Sequence, residues 1–290
     1  FWTQHATKPP MVHLGQACCP TLRANKCIRG ASAERVLNFT VAGLPRRLHT
    51  CSLRSPAVHS MSNLVTATAK KELRSALKAE LKTLTLETQR AESEVIQGLT
   101  MAASFFKESS RVGLYVHCEK LREVATDSLL KALLSDPSKR CYVPLIKDSN
   151  ALMYMLHIEN SATDLQPMTM GILEPTVGYP SGKPREEALQ VKEPLDLLIM
   201  PGLGFDRRCN RLGRGGGYYD CYIEKLYKQA ADNGSKPPLL VALAFSKQLC
   251  DSIPMAPNDM PVDYLVTVDG IFKRPEVYSE KLTCRWTSSQ

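Results

Sequence analysis

Between residues 211 and 220 the chain reads Arg211-Leu-Gly-Arg-Gly-Gly-Gly-Tyr-Tyr-Asp220, with two arginines, four glycines, two tyrosines and a carboxylate in ten residues. Gly213, Gly215, Gly216 and Gly217 open backbone conformations closed to other residues and let peptide N–H groups approach a bound anion. Arg211 and Arg214 supply planar, bidentate donors suited to phosphate or carboxylate. A helix beginning near Tyr218 would aim its positive end at the same point. The segment therefore reads as an anion cradle. The alternative, a flexible solvent loop that merely needs turns, does not account for so many charged and aromatic groups. A P-loop is excluded, since no Lys-Ser/Thr follows the glycines. The dinucleotide fingerprint fails as well: Arg207 stands where Gly202 and Gly204 would require a glycine, and Asp220 where Gly215 and Gly217 would.

Asp220 has two readings, as a Mg²⁺ ligand beside nucleotide phosphates or as a first-turn acid complementing the helix dipole. Asp259, in Pro257-Asn-Asp-Met-Pro-Val-Asp263, is a second candidate metal ligand. Both aspartates lie just beyond apolar runs, where open α/β sheets bind ligands. Lys70, Arg74 and Lys78 recur every four residues and share one helix face. Lys70 and Lys71 at a helix start are unfavourable by a few tenths of a kcal/mol. A solvated basic face explains them, and so does a bound polyphosphate.

The elements that must position these groups follow from periodicity. Leu73, Leu77, Leu81 and Leu84 mark a helix over 70–86, Ser93–Phe106 a second, Asp127–Leu134 a third and Asp220–Ala231 a fourth. Arg111–Val116, Cys141–Ile146, Met153–Ile158, Leu195–Met200 and Leu239–Phe245 read as strands, the last two continuously apolar and so covered on both faces. This alternation predicts an α/β fold of three layers, a central, largely parallel sheet flanked by helices. Pro175–Pro184 reads as a surface loop.

Composition bounds the rest. The 290 residues, 43% apolar and 23% charged, have globular proportions, and no apolar run approaches the roughly 20 residues of a membrane span. The net charge of +8 is uneven. Residues 1–60 hold eight Lys/Arg against Glu34 alone, whereas the remainder holds 29 bases against 28 acids. A nearly neutral body carries no broad footprint for nucleic acid. The acid-poor, Arg- and Ser/Thr-containing residues 1–60 read as an organellar transit peptide, with a disordered leader as the alternative. The body follows over 61–270, and 271–290 reads as a tail. Six widely spaced body cysteines, without a CxxC pair, indicate free thiols.

Taken together, Lys70-Lys-Glu-Leu-Arg74, Arg111–Val116 with Glu123, Leu195–Asp206, Asn210–Asp220 and Asn258–Asp263 resemble the 5-formyltetrahydrofolate cyclo-ligase family, also called 5,10-methenyltetrahydrofolate synthetase. Tyr115–Val124 and Ile172–Pro175 are most similar to plant mitochondrial members. The resemblance implies ATP- and Mg²⁺-dependent cyclisation of 5-formyltetrahydrofolate, with or without a polyglutamate tail, and release of ADP and phosphate. By family position, Lys70, Lys71, Glu72, Leu73 and Arg74, with Arg211, Leu212, Gly213, Arg214, Gly215, Gly216, Gly217, Tyr218 and Tyr219, would hold ATP. Val116 and Glu123, with Arg214–Tyr218, would contact the folate; Arg214 and Tyr218 would act in catalysis; Asp220 and Asp259 would hold Mg²⁺. Gly216 stands where some members carry Lys, and Ile172 near a Trp of animal members. A folate-binding protein that has lost phosphoryl transfer is the alternative. The expected state is a monomer in the mitochondrial matrix (plastid as alternative), with no nucleic-acid or membrane partner in the mature form. A fluorescent fusion of residues 1–60 is expected to enter mitochondria, and a diffuse cytosolic signal would overturn the leader assignment.

Overall fold

The computed structural model describes residues 56–147, 152–168 and 171–275. The leader, up to residue 55, and residues 276–290 lie outside them. In chain order the helices are α1 (Pro56–Thr83), α2 (Leu86–Ala102), α3 (Ser104–Lys107), α4 (Asp127–Ser135), α5 (Ser161–Asp164) and α6 (Tyr218–Asp232). The strands are β1 (Arg111–Leu114), β2 (Arg140–Ile146), β3 (Met153–Ile158), β4 (Leu165–Pro167), β5 (Leu173–Pro175), β6 (Leu197–Met200), β7 (Gly204–Asp206), β8 (Arg211–Leu212), β9 (Leu239–Leu243), β10 (Leu249–Cys250), β11 (Tyr264–Thr267) and β12 (Gly270–Lys273).

Seven strands form the central sheet in the order β12-β11-β9-β6-β1-β2-β3. Its interior pairings are parallel, and only the edges, β12 on β11 and β3 on β2, are antiparallel. Strand alternation sends Leu197, Ile199, Val241 and Leu243 into one apolar layer with Leu77 and Leu81 of α1, Ile96 of α2 and Leu129 of α4. It sends Leu198, Met200, Leu240 and Ala242 into the other, against Tyr222, Ile223 and Leu226 of α6. The fold is thus α/β in three layers. Two small sheets, β10-β7-β8 and β4-β5, sit beside the main one. No helix among the described residues is long and apolar enough to cross a membrane, and the described cysteines are free thiols.

Several boundaries differ from the sequence expectation. Helix α1 runs back to Pro56, across the boundary set between leader and body, and stops at Thr83 because Thr85 caps α2 with its hydroxyl on the Thr88 N–H at 3.1 Å. The expected helix over 93–106 begins at Leu86 and breaks at Ala103, whose backbone is extended. The tail's first residues are not a tail: Ile271–Lys273 pair with β11, and Arg274 donates to Asp263 at 2.6 Å.

The chain between β3 and β6 is fastened by a buried charge pair. Asp164 sits 2.9 Å from Arg185, accepts from the Glu159 and Asn160 N–H groups, and both side chains are almost fully buried. Burial opposes ionisation of Asp164, but Arg185 and the two N–H donors outweigh it and bring its carboxyl from 3.8 down to about 2. A depressed carboxyl contributes stability above its unfolded value and loses it as pH falls through the folded one. Asp164 therefore contributes about 2 kcal/mol at neutral pH, lost between roughly pH 4 and 2. Asp164→Asn is expected to lower the melting temperature at pH 7, with the deficit shrinking over that window; a pH-independent deficit would contradict the assignment.

Candidate active site

Above the carboxyl ends of β1, β2 and β6 lies a cavity of about 390 Å³, in the crevice where open α/β sheets place their ligands. Its walls come from four directions. Helix α1 contributes Lys70 and Arg74. The segment after β1 contributes Val116, Leu121 and Glu123, and residues 211–220 form the third wall with Asp259 beside them. Pro144 and Ile146 of β2, with Ile172, make an apolar side.

The helical turn decides which of the N-terminal candidates participate. Residues four apart share a face, so Lys70 and Arg74 meet the cavity while Lys71 and Glu72 face solvent and Leu73 packs on the core. The expected nucleotide-binding run 70–74 thus brings two of its five residues to the cavity, and Lys78 is exposed elsewhere. Lys70 forms an ion pair with Asp259, whose same oxygen accepts the Ala256 N–H at 2.5 Å. Arg74 donates from Nε to the Gly213 carbonyl at 2.9 Å.

The 211–220 loop carries the densest charge. The Arg211 side chain is only 3% exposed and donates to Asp220 at 3.0 Å. Arg214 donates to the Leu121 carbonyl and lies 3.4 Å from the Glu123 carboxylate. The Arg214 Nε faces that carboxylate without an aligned hydrogen bond, and the buried Arg211 Nε has no acceptor. What marks a place for an oxyanion is the convergence of Arg74, Arg211 and Arg214 on the cavity. The backbone agrees: Gly215 (φ 109°) and Gly217 (φ 72°) occupy the left-handed region, and Gly217 opens α6, whose N-terminus favours an anion. At Gly216 a Cβ would come within 2.5 Å of the Tyr218 ring. The ring fills the space that a side chain at 216 would need, which explains why glycine stands there.

Glu123, with its side chain 8% exposed, is pushed above the ordinary glutamate range by burial, partly offset by Arg214 and by the Cys118 N–H at 3.1 Å. Burial likewise holds the Tyr115 and Tyr219 phenols neutral. Asp220 and Asp259 both face the cavity, each paired to a cation and each keeping one oxygen without a donor among the described residues. No cluster of three or more metal-ligating side chains occurs among the described residues. Mg²⁺ needs only one or two carboxylates when phosphates and water complete its shell, so two carboxylates beside an oxyanion cradle fit it. The nucleotide fits on the guanidinium groups of Arg74, Arg211 and Arg214 that line the cavity.

The structure brings Lys70, Arg74, Val116, Glu123, Arg211 through Tyr219, Asp220 and Asp259 to one cavity. Sequence reasoning missed Tyr115, Leu121, Pro144, Ile146, Pro201 and Gly202. These are apolar or backbone contributors whose sequence signal is that of ordinary core and turn.

The model of the 5-formyltetrahydrofolate cyclo-ligase family matches residues 66–268. The chain is 40% identical over 208 residues to a mitochondrial 5-formyltetrahydrofolate cyclo-ligase of Arabidopsis thaliana, covering 70% of this chain and 75% of that protein. It is 33% identical to the Mus musculus 5-formyltetrahydrofolate cyclo-ligase, covering 72% of this chain and 98% of the mouse protein. Among solved structures, the Aquifex aeolicus 5,10-methenyltetrahydrofolate synthetase superposes with a TM-score of 0.56 at 27% identity, over 70% of this chain and 92% of that one. The chain, with its glycine cradle and paired aspartates at the strand ends, belongs to the 5-formyltetrahydrofolate cyclo-ligase family.

Proposed function

We propose that the protein cyclises 5-formyltetrahydrofolate to 5,10-methenyltetrahydrofolate at the expense of ATP, with Mg²⁺, releasing ADP and phosphate. The observation that carries this reading is the convergence of Lys70, Arg74, Arg211 and Arg214, the left-handed Gly215 and Gly217, and the carboxylates Asp220 and Asp259 on one cavity. A second substrate wall, apolar and ending in Glu123, adjoins them.

The chemistry makes demands that these residues match. A formyl oxygen on nitrogen-5 is a poor leaving group. Its attack on the γ-phosphorus breaks the bond to ADP and forms a C–O–P linkage. Nitrogen-10 of the same folate then attacks the formyl carbon, the C–O bond breaks, phosphate leaves and the nitrogen-10 proton is released. Such transfer depends on positioning and charge stabilisation. No serine or cysteine lines the cavity among the described residues, and none is required. Lys70, Arg74, Arg211, Leu212, Gly213 and the 215–217 backbone hold the nucleotide oxyanions, with Tyr219 packed behind. Arg214, poised between cradle and Glu123, neutralises charge at the transferring group, and Tyr218 flanks it. Val116, Leu121, Pro144, Ile146 and Ile172 take the flat face of the folate and exclude water. Asp220 and Asp259 would hold Mg²⁺, which would screen the terminal phosphate oxygens. The ligand-free ion pairs of Lys70 with Asp259 and Arg211 with Asp220 would let the cations turn to phosphate and the carboxylates to the metal without leaving a buried charge alone. The leader's composition and the mitochondrial relative support a mitochondrial-matrix location for the mature protein, with the plastid as the alternative, and a monomer is the expected state.

Mixing purified protein with Mg-ATP and 5-formyltetrahydrofolate is expected to raise the near-ultraviolet absorbance of the methenyl product; folate binding without that band would favour a protein that only binds folate. Arg214→Ala and Asp220→Asn are expected to lower kcat per folded molecule by about 10²–10³, with a lower melting temperature as well because each leaves a buried charge without its partner. Wild-type turnover in either variant removes that residue from the site. Glu123 must be ionised to pair with Arg214. Because burial raises its carboxyl, kcat/KM should fall as pH drops through a value above the usual glutamate range. Glu123→Gln should flatten that acid limb, and an unaltered limb would assign it to another group.

A further inference from the structure

Three elements surround the cavity, and each is tied to the next by an arginine that donates to a backbone carbonyl. Arg74 of α1 donates to Gly213 of the glycine loop. Arg214 of that loop donates to Leu121 of the turn after β1. Arg122 of that turn donates from Nη1 to Leu81 at 2.8 Å and Leu84 at 2.9 Å, where α1 ends. The ring closes on itself.

Two of these arginines line the cavity and Arg122 does not. In the reading proposed above, on which this inference rests, Arg74 and Arg214 turn to phosphate when the nucleotide binds, and their ties loosen. Of the three ties, the third alone then remains between α1 and the turn that carries Leu121 and Glu123, beside the apolar packing of Leu81 and Leu84 with Tyr115 and Val124. The local geometry serves that single tie. Arg122 adopts the left-handed conformation (φ 52°, ψ 59°), unusual for a residue with a long side chain, and its own N–H closes back on Glu119 at 3.0 Å. This reversal sends the side chain of Arg122 to α1, while the Leu121 carbonyl and the Glu123 carboxylate on either side of it face Arg214. The carbonyls that accept from it lie where α1 ends; the Leu81 carbonyl also accepts the Leu84 N–H at 3.3 Å and the Leu84 carbonyl the Gln89 side chain at 3.0 Å.

We infer that Arg122 is a positioning residue. It fixes α1, with Lys70 and Arg74, against the turn bearing Glu123, so that the nucleotide and folate walls stay aligned once Arg74 and Arg214 are engaged by ligand. Misalignment by an ångström leaves each substrate its own wall and removes their mutual geometry, on which transfer depends.

Arg122→Gly keeps the left-handed backbone and deletes the tie, whereas Arg122→Lys keeps a cation of similar reach. Arg122→Gly is expected to lower kcat about tenfold or more with each KM within about threefold. Its folded fraction should match wild type, and amides 119–123 should exchange faster. Arg122→Lys should recover part of kcat, and free guanidinium ion should restore turnover to Arg122→Gly. Wild-type kcat in Arg122→Gly, or a loss that tracks unfolded protein and ignores guanidinium, overturns the inference. If the wild-type protein itself yields no methenyl product, the functional reading fails, and the exchange measurement decides the tie alone: unchanged protection at 119–123 overturns it.

Discussion

The site depends on cations held among carboxylates before their ligand arrives. Arg211, buried, and Arg214, a quarter exposed, lie in the wall of the cavity. Their charge is tolerable only because Asp220 and Glu123 stand beside them. A buried ion pair returns little net stability, since desolvation offsets most of its Coulombic gain, so these pairs are poorly explained as fold-stabilising contacts. They are well explained as a charge-balanced resting arrangement that a polyanion and its counter-cation can enter together. The same logic covers Lys70 and Asp259.

The fold serves that arrangement by rigidity. Strands β6 and β9 are buried on both faces, so the chain that leaves β6 toward the cradle starts from a fixed point. Gly202, just past β6, lies so close to the Phe205 ring that no side chain fits there. Gly204 is similarly pressed by Leu77 of α1. The 202–206 segment is therefore clamped between the sheet and α1. Asp206 extends the clamp by accepting from Arg208, Asn210 and Ile253 backbone N–H groups and from the Asn210 side chain. A loop rich in glycine is thus held at its start; Gly215 and Gly217 supply its left-handed residues at the cavity, and the buried Cys209 (φ 63°) turns the chain between β7 and β8.

Much of this was legible in the sequence, for identifiable reasons. The central strands announced themselves as uninterrupted apolar runs, and the cradle as a density of arginine and glycine with no other economical explanation. That Asp220 and Asp259 share a cavity was not legible, because 39 residues and two crossovers separate them and only the closed topology brings them together. The two-residue strands β8 and β10 carry too few residues for any periodicity. Lys71, Glu72 and Leu73 belong with Lys70 and Arg74 to the run that family position assigns to the nucleotide, but the helix sorts residues by angle. Arg122 was invisible for a different reason: its importance lies in a left-handed backbone and in carbonyls 38 and 41 residues away, neither of which leaves a mark in its neighbours.

The exchange of partners within the cavity is the claim on which the account turns, and it is open to direct observation. Crystals grown with a non-hydrolysable ATP analogue and Mn²⁺, with the manganese located by its anomalous scattering, would show it. The account predicts phosphate oxygens on Arg211 and Lys70, and the metal on Asp220 and Asp259. A bound nucleotide that leaves both ion pairs intact, or that lies away from the 213–217 backbone, would contradict it.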